Sequence, residues 1–310
     1  MHVMAGVMID AGGRVLLAQR PPGKHLAGLW EFPGGKLEVG EAPADGLVRE
    51  LREELGVEAE IADPLIRVPW RYGERSLLLD AWTVRRWRGD PLSLEGQSLQ
   101  WREPADVDPA MLSPADRPIL RALQLPSCYP ITPADVPPEA FDEWRCRLGD
   151  AIERGLRLVL LRFPLWSPQR VRELAAALLP AARARGAQLL LSGDVAGALA
   201  LGVGTGVQLK AFQLASLEAR PVPLDQWVGA SCHDELDLAR ASQWADFATL
   251  SPVAATATHP DVAPLGWSVF EAMVRAASVP VYALGGMTVD DASAARGAGG
   301  QGVAGIRGFW

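Results

Sequence analysis

Three glutamates near residue 50 have the spacing expected of a metal site. Glu50, Glu53 and Glu54 stand at positions i, i+3 and i+4, so in a helix their carboxylates lie on one face. Like charges on one face repel each other, and a hard cation such as Mg²⁺, which prefers oxygen ligands, removes that repulsion. An acidic face turned toward solvent gives the same pattern. The helix alone therefore leaves two interpretations open, a magnesium site and a solvated surface.

The residues around these glutamates predict the helix that carries them. Pro43 suits a first helical turn, and Gly56 suits the left-handed residue that follows a helix end. Leu47, Leu51 and Leu55 form an apolar stripe along the same segment. We therefore expect a helix between these two ends, held against a sheet by its leucines.

The wider segment, residues 35–57, resembles the Nudix box, a long and specific signature of hydrolases. The matching residues keep the family's spacing: Gly35, Glu41, Arg49, Glu50, Leu51, Glu53, Glu54, Gly56 and Val57. The resemblance implies that Glu50, Glu53 and Glu54 bind Mg²⁺ or Mn²⁺. It implies that Gly35 lets the backbone approach the metal and that Arg49 orients a catalytic glutamate. Water then attacks phosphorus, with Glu50 as the candidate base and Glu53 and Arg49 completing the catalytic set.

Residues 3–124 also resemble the MutT-type subgroup, whose members remove 8-oxo-dGTP from the nucleotide pool. The resemblance rests on Arg20, His25-Leu26-Ala27, residues 30–36, Glu95-Gly96-Gln97 and residues 114–118. It implies a further metal contact from Glu95. It places Arg20, His25 and Phe32 at the nucleoside pocket and Lys36 near the phosphates. Outside this context, Arg20 and Lys36 would be interpreted as surface charge and Phe32 as core.

Asp116 is a departure from the subgroup that bears on the base. The subgroup has an asparagine here, and its amide both donates and accepts hydrogen bonds when it reads the purine. An ionised aspartate only accepts. It can accept from the ring and exocyclic N–H groups of an oxidised guanine, but it cannot donate to the O6 carbonyl unless it is protonated. The prediction of hydrolysis stands, and the preferred nucleotide is left open.

The first 127 residues predict an α+β Nudix fold, in which helices sandwich a mixed sheet. Apolar runs at residues 3–9 and 15–18 flank a turn at Asp10-Ala11-Gly12-Gly13 and predict a β-hairpin. The remaining expected elements are strands at residues 60–69 and 76–87 and around Trp101, and a closing helix at residues 114–123. The short segment 125–127 is the predicted joint to a second domain at residues 128–310.

Residues 128–310 predict an α/β barrel, because short apolar strands alternate with helices rich in alanine, leucine and arginine. The expected strands are residues 129–132, 158–162, 188–191, 207–209, 227–230, 246–250, 279–283 and 302–306. The sequence ends at Trp310, so we expect a (β/α)₈ TIM barrel that lacks its last helix. The apolar surface exposed in this way could be covered by the Nudix domain or, in an oligomer, by a second copy of the chain.

This second half resembles the thiamine-phosphate synthase/TenI family. The resemblance rests on residues 129–132, 228–233, 250–252 and 281–287. Gly285-Gly286 follows the seventh strand, where backbone N–H groups of a barrel approach phosphate closely. With Ser231, Thr256 and Thr258, these glycines predict a site for a phosphorylated small molecule, and a plain tight turn is the alternative.

Synthase activity itself is expected to be lost from the barrel. The family's Arg-Glu-Lys after strand two is Arg-Phe-Pro at residues 162–164, and its Gly-Gln-x-Asp after strand four is Lys-Ala-Phe-Gln at residues 210–213. Asp194 remains, but a second metal carboxylate is missing, and His259 stands where a lysine is expected. His233 could transfer a proton as in TenI, although a single histidine after a strand is more often structural.

Composition and charge set the remaining limits. At 310 residues, 49% hydrophobic and 22% charged, the chain has the composition of two globular domains. The net charge of −7 argues against sequence-independent binding of nucleic-acid backbone, which needs basic surface. No apolar run suits a membrane span and no signal-peptide pattern begins the chain, so we expect no membrane association. Three widely spaced cysteines without a CxxC pattern fit a reducing cytoplasm.

Three functional hypotheses follow from these patterns. The first is a Mg²⁺-dependent nucleoside triphosphate diphosphohydrolase that converts 8-oxo-dGTP to 8-oxo-dGMP and pyrophosphate, which serves nucleotide-pool sanitation and mutation avoidance. The second is a Nudix hydrolase of a thiamine-related pyrophosphate, for which the fused barrel is the clue. The third is a ligand-binding or scaffold protein, in which the barrel senses a phosphorylated molecule and hydrolysis is incidental.

Overall fold

The computed structural model describes residues 1–256 and 262–310 of the chain. These residues form two compact units, Met1–Gln124 and Leu125–Trp310. Within the described ranges, none of the helices has the length and apolar character that crossing a membrane requires. Thr258 and His259, which the sequence singles out, lie outside the described residues.

Two three-stranded sheets form the framework of the first unit. The first sheet has the order β1-β5-β4, and the second has the order β3-β2-β6. β1 runs parallel to β5, whereas the other neighbours are antiparallel, so the strands are mixed as predicted. The strands are β1 (His2–Met8), β2 (Val15–Gln19), β3 (Trp30–Glu31), β4 (Glu58–Tyr72), β5 (Arg75–Arg88) and β6 (Leu99–Arg102).

The hairpin predicted around residues 10–13 was wrong, although the turn itself is present. The Asp10 backbone N–H donates to the Arg14 carbonyl at 3.0 Å, and Ile9 and Val15 form an isolated antiparallel bridge. Beyond that bridge the two arms separate into different sheets. β1 pairs with β5 along seven residues, and β2 pairs with β3 and β6, so neither arm is the main partner of the other.

Two helices complete the first unit, one on each face of β1. The helix α1 (Pro43–Leu55) has its predicted bounds, and it ends at Gly56 in the left-handed conformation with φ of 70°. The closing helix α2 (Arg117–Gln124) begins three residues later than predicted. Because side chains of a strand alternate between faces, Met4 and Met8 join the core under α1, whereas Ala5 and Val7 join the core under α2. The predicted sandwich of helices around strands is confirmed.

Eight parallel strands form the second unit, and each coincides with a predicted strand to within two residues at either end. Neighbouring strands pair in the order β7-β14-β13-β12-β11-β10-β9-β8. A bridge between Ile131 and Leu160 joins the two ends of this order, so the sheet closes on itself as a barrel. The strands are β7 (Cys128–Pro130), β8 (Leu158–Leu161), β9 (Gln188–Ser192), β10 (Thr205–Leu209), β11 (Trp227–Cys232), β12 (Phe247–Leu250), β13 (Val281–Leu284) and β14 (Gly302–Gly305).

Large side chains fill the barrel, so it is a packed core rather than a channel. Tyr129, Phe247 and Tyr282 are all buried, and their ring centroids lie 5.3–5.7 Å apart. Helices connect the strands on the outside and bury a separate apolar layer against them. They are α3 (Phe141–Glu153), α4 (Pro168–Arg185), α5 (Val195–Leu201), α6 (Ala211–Ala215), α7 (Glu235–Trp244), α8 (Gly266–Ala276) and α9 (Ala292–Gly297).

The residues after β14 form no helix, as the sequence predicts. Trp310 Nε1 donates to the Ile131 carbonyl at 2.7 Å, and its ring meets that of Trp144 edge-on at 5.2 Å. Phe309 packs against the core that the later strands form. Trp310 therefore covers part of the apolar surface next to α3, and Phe309 covers part of the core beside the later strands.

Candidate active site

Arg49 organises the acidic face of α1. Its guanidinium contacts both carboxylate oxygens of Glu41 at 2.9 Å, Glu50 Oε1 at 2.9 Å and Glu53 Oε2 at 3.3 Å. It also donates to the carbonyl of Lys36 at 3.1 Å. The hydrogen bonds from Arg49 are the main reason that the pKa of Glu41 falls to about 2. Arg49 therefore ties the preceding loop to the helix and fixes the carboxylate of Glu50.

Gly35 provides the space in which that carboxylate lies. A Cβ on Gly35 would stand 2.0 Å from Glu50 Oε2, so no other residue fits without moving the glutamate. The adjacent Gly34 has φ of 144°, and a Cβ there would lie 2.3 Å from the Met4 carbonyl oxygen. Both glycines let the loop pass closely between β1 and α1.

Glu54 is the most perturbed of the three predicted ligands. Gly34 N–H donates to its Oε2 at 3.0 Å, yet burial raises the pKa of Glu54 to about 7. The neighbouring carboxylates of Glu31, Glu95 and Glu50 contribute to this rise in pKa. A buried carboxylate with acidic neighbours is stabilised by a cation, which is the environment expected of a metal ligand.

A pocket beside Glu54 gathers further acidic groups. Its lining consists of Ala18, Gln19, Pro21, Lys24, Glu31, Glu54, Glu95 and Gln97. Glu95 therefore lines the same pocket as Glu54. Lys24 Nζ lies 3.4 Å from Glu95 Oε2. The sequence did not single out Glu31, because one acidic residue within residues 30–36 gives no local signal that it lines a pocket. It pairs with Arg20, and burial raises the pKa of its carboxyl group.

The structure does not assemble a finished metal site. Among residues 1–256 and 262–310, no group of three or more Asp, Glu, His or Cys side chains has an arrangement that could hold a metal ion. Glu50 and Glu53 accept from Arg49, whereas Glu54 accepts from the Gly34 backbone. The donor chemistry, all carboxylate oxygens, nevertheless fits a hard cation.

The predicted nucleoside residues lie together around Asp116. Phe32 N–H donates to Asp116 Oδ1 at 3.0 Å, and Arg20 Nε donates to the His25 carbonyl at 2.6 Å. Burial, with the charge of Glu31 as the second cause, raises the pKa of Asp116 to about 7. The Lys36 backbone bridges to that of Val3, and its carbonyl accepts from Arg49.

The described members of the predicted barrel site lie at the carboxyl ends of β11 to β13; they are Ser231, Thr256, Gly285 and Gly286. Gln208 Nε2 donates to Ser231 Oγ at 3.1 Å, and Thr256 is half-buried. Gly285 and Gly286 have φ of 98° and 68°. A Cβ on them would lie 2.8 Å from Pro252 Cα and 2.6 Å from the Ala255 carbonyl oxygen, so these glycines allow a close approach to the loop after β12.

Asp194, the remaining acidic residue of the synthase pattern, already has a cation. Arg172 of α4 donates to both of its carboxylate oxygens, at 2.6 and 2.7 Å, and this pairing lowers the pKa of Asp194. The loop after β8 is apolar, because Phe163 and Trp166 are buried with ring centroids 4.2 Å apart. His233 Nδ1 lies 2.9 Å from the Ser251 carbonyl, a contact that holds its ring.

A glutamate helix packed on mixed sheets, followed by a closed parallel barrel, defines the class of this chain: a Nudix-type hydrolase unit joined to an α/β barrel unit. Residues 4–122 match the family described as "NUDIX domain", and residues 128–309 match the family described as "Thiamine monophosphate synthase". The chain belongs to both families, one in each half. The resemblances inferred from the sequence and the expected hydrolase of acid anhydrides are confirmed.

Three relatives give the scale of the similarity. The CTP pyrophosphohydrolase of Escherichia coli (strain K12) is 41% identical over 122 residues, which are 39% of this chain and 90% of the relative. The 8-oxo-dGTP diphosphatase of the same organism is 30% identical over 124 residues, which are 40% of this chain and 96% of the relative. The thiamine-phosphate synthase of Thioalkalivibrio sulfidiphilus (strain HL-EbGR7) is 31% identical over 191 residues, covering 60% and 89%. Nudix hydrolases generally use a divalent metal such as Mg²⁺.

Proposed function

We propose that the first unit is a Mg²⁺-dependent nucleoside triphosphate diphosphohydrolase that releases a nucleoside monophosphate and pyrophosphate. The observation that carries this proposal is the position of the Glu50 carboxylate, which lies against Gly35 and accepts a hydrogen bond from Arg49. Next to it, half-buried Glu54 carries a charge that its surroundings disfavour unless a cation is present. Glu50, Glu53, Glu54 and Glu95 would hold Mg²⁺ or Mn²⁺.

In this mechanism Glu50 removes the proton from the attacking water. Mg²⁺ held by Glu50, Glu53, Glu54 and Glu95 would offset phosphate charge and make that water more acidic. Arg49 keeps the Glu50 carboxylate in one orientation, which spares the enzyme the cost of ordering it at the moment of reaction. Glu53 is more exposed than Glu50, with 58% of its side chain accessible against 15%, so its substitution removes a ligand without disturbing the core.

We propose 8-oxo-dGTP as the first substrate, because Arg20, His25, Phe32 and Asp116 occupy the places that the resemblance gives to the nucleoside pocket. Each oxygen of Asp116 keeps a second lone pair after accepting from the protein, so the carboxylate can accept from N–H groups of the oxidised base. A neutral carboxyl group can also donate to O6.

A cytosine nucleotide is the second candidate, and a specific observation favours it. An accepting carboxylate is the standard partner of the cytosine N4 amino group. Asp116 accepts a hydrogen bond on each oxygen from the protein, as an ionised carboxylate does. The relative with 41% identity is named a CTP pyrophosphohydrolase, which supports the same candidate.

For the second unit we propose a site for a phosphorylated small molecule, without synthase activity. Gly285, Gly286 and Ser231 supply close backbone approach and a hydroxyl group at the carboxyl ends of the strands. Arg172 forms an ion pair with the carboxylate of Asp194, and buried Phe163 stands where the synthase pattern has a polar residue. Both features argue against a metal-bound diphosphate in the barrel.

A comparison of four substrates tests the proposal. The full chain is assayed with Mg²⁺ on 8-oxo-dGTP, dGTP, CTP and thiamine pyrophosphate at equal concentrations, with kcat/KM as the measure. Preference for 8-oxo-dGTP over dGTP supports the first substrate, and preference for CTP supports the second. Preference for thiamine pyrophosphate would transfer the activity to thiamine metabolism and overturn the nucleotide assignment. Absence of hydrolysis with all four compounds would overturn the enzyme itself.

A further inference from the structure

A line of hydroxyl groups leads from β4 to the base-reading carboxylate. Ser113 Oγ donates to Asp116 Oδ2 at 2.7 Å, and Tyr72 Oη lies 3.4 Å from the same Ser113 oxygen. Ser113 and Asp116 are both buried, with 4% of each residue exposed. These hydroxyl groups come from segments that lie more than 40 residues apart in sequence. The sequence motifs include neither Tyr72 nor Ser113 as a functional residue.

Hydrogen-bond donors can be assigned along this line. The Ala115 N–H donates to Tyr72 Oη at 3.3 Å, and either hydroxyl group can be the donor in the contact between Tyr72 and Ser113. Ser113 then donates its own proton to Asp116 Oδ2. On the other oxygen, Asp116 accepts from Phe32 N–H. When Ser113 donates to Asp116, its only proton is used, so Tyr72 is the donor to Ser113. This arrangement points the protons toward the carboxylate, as an ionised, accepting group requires.

We propose that Tyr72 and Ser113 form a hydrogen-bond relay that holds Asp116 as an acceptor and thereby selects the base, favouring the amino group of cytosine over the O6 carbonyl of 8-oxoguanine. The inference rests on the proposed nucleoside triphosphate hydrolysis. Tyr72 and Ser113 act through Asp116 and are positioning residues. Without the relay, a neutral Asp116 both donates and accepts, which is the hydrogen-bonding pattern of an asparagine amide.

Charged neighbours act on Asp116 in opposite directions. Glu31 disfavours a negative charge on Asp116, whereas Arg20 favours it. Burial has the largest effect, and the resulting pKa of Asp116 is about 7. The His25 ring meets Tyr72 edge-on at 5.0 Å, so it is the other titratable group against the relay. With the group balanced near neutral pH, one hydrogen bond decides its charge at the pH of the assay.

Hydroxyl deletions test the relay directly. The variants Ser113→Ala and Tyr72→Phe each remove one of its two hydroxyl groups, and Ser113→Thr keeps both. Thr83→Val is the matched control, because the Thr83 hydroxyl bonds to the backbone of Asp63 rather than to the relay. For each full-length variant, kcat/KM is measured on CTP and on 8-oxo-dGTP between pH 6 and pH 9, and the ratio of the two values is compared.

The relay predicts that Ser113→Ala raises the ratio of 8-oxo-dGTP to CTP on the order of tenfold at pH 8, the effect of losing one hydrogen bond to a charged group. Tyr72→Phe changes the ratio in the same direction, and Ser113→Thr and Thr83→Val keep the wild-type ratio. The pH at which the ratio changes moves upward in Ser113→Ala, because a lost donor raises the pKa of the carboxyl group.

Two results would overturn the relay. An unchanged ratio in Ser113→Ala and Tyr72→Phe, with both nucleotides still hydrolysed, rejects the relay and leaves the hydrolase intact. The same rejection follows if Ser113→Thr behaves like Ser113→Ala, since the hydroxyl group would then be irrelevant. If the wild-type protein hydrolyses neither nucleotide, the relay and the proposed function fail together.

Discussion

Replacing Asp116 with asparagine should stabilise the first unit relative to the wild type. This advantage should be larger at alkaline pH than at acidic pH. Folding raises the pKa of Asp116 from its ordinary value of 3.8 to about 7, chiefly through burial. The folded state therefore holds the proton more tightly than the unfolded chain does. The favourable contribution of this group is complete below pH 3.8 and is lost as the pH rises through 7. Asparagine has no such titration.

The magnitude follows from the difference between the two pKa values. Linkage of protonation to folding destabilises the wild type by roughly 2 kcal/mol at pH 5 and by roughly 4 kcal/mol at pH 8, relative to a state in which the carboxyl group stays protonated. The advantage of Asp116→Asn in the free energy of unfolding should thus grow by about 2 to 3 kcal/mol between these two pH values. The amide can accept from Phe32 and donate to Ser113, so the hydrogen-bond count is preserved.

Urea unfolding at both pH values measures this difference, with hydrogen exchange of peptides from residues 1–124 reporting on the first unit alone. The control is Asp90→Asn, since Asp90 is exposed and its substitution should change stability by less than about 0.5 kcal/mol at either pH. If the difference in free energy of unfolding between Asp116→Asn and the wild type is the same at pH 5 and pH 8, burial does not raise the pKa of Asp116 and the reasoning is refuted.

The remaining predictions concern the catalytic helix and the barrel. Gly35→Ala forces the Glu50 carboxylate aside and should lower kcat for pyrophosphate release roughly a hundredfold. An unchanged kcat would show that the close contact between Gly35 and Glu50 does not matter for catalysis. Arg49→Lys loses the two-point contact with Glu41 and should lower kcat about tenfold with little change in KM. Trp310→Ala should reduce the unfolding free energy of the second unit by roughly 2–3 kcal/mol in urea titrations, and a change near zero would contradict its covering role.

The elements that depend on local sequence were predictable. The helix α1 has its expected ends because proline and glycine mark them and because leucines recur along one face. The eight barrel strands were found because each is a short apolar run between helical segments. The positions of Glu50, Glu53 and Glu54 on one face follow from helical spacing alone.

The features that depend on distant partners were not predictable. The turn at residues 10–13 does not decide which strands its arms join, so the hairpin was wrong. Arg172 gives no local signal that it will pair with Asp194, which lies 22 residues further along the chain. Tyr72 and Ser113 meet across 41 residues, and their contact depends on how α2 and β4 pack. Pairings of this kind arise from the fold and have no periodic pattern in the sequence.

The most direct test of the hydrolase identifies both the products and the ligand. CTP and 8-oxo-dGTP are incubated with Mg²⁺ and the wild-type chain, Glu53→Gln, or the control Glu60→Gln, whose side chain is 69% exposed and pairs with Arg86 on the surface. We expect nucleoside monophosphate and pyrophosphate from the wild type and the control, and a loss of roughly a hundredfold or more in Glu53→Gln. Release of inorganic phosphate with a nucleoside diphosphate, or full activity in Glu53→Gln, would contradict the account.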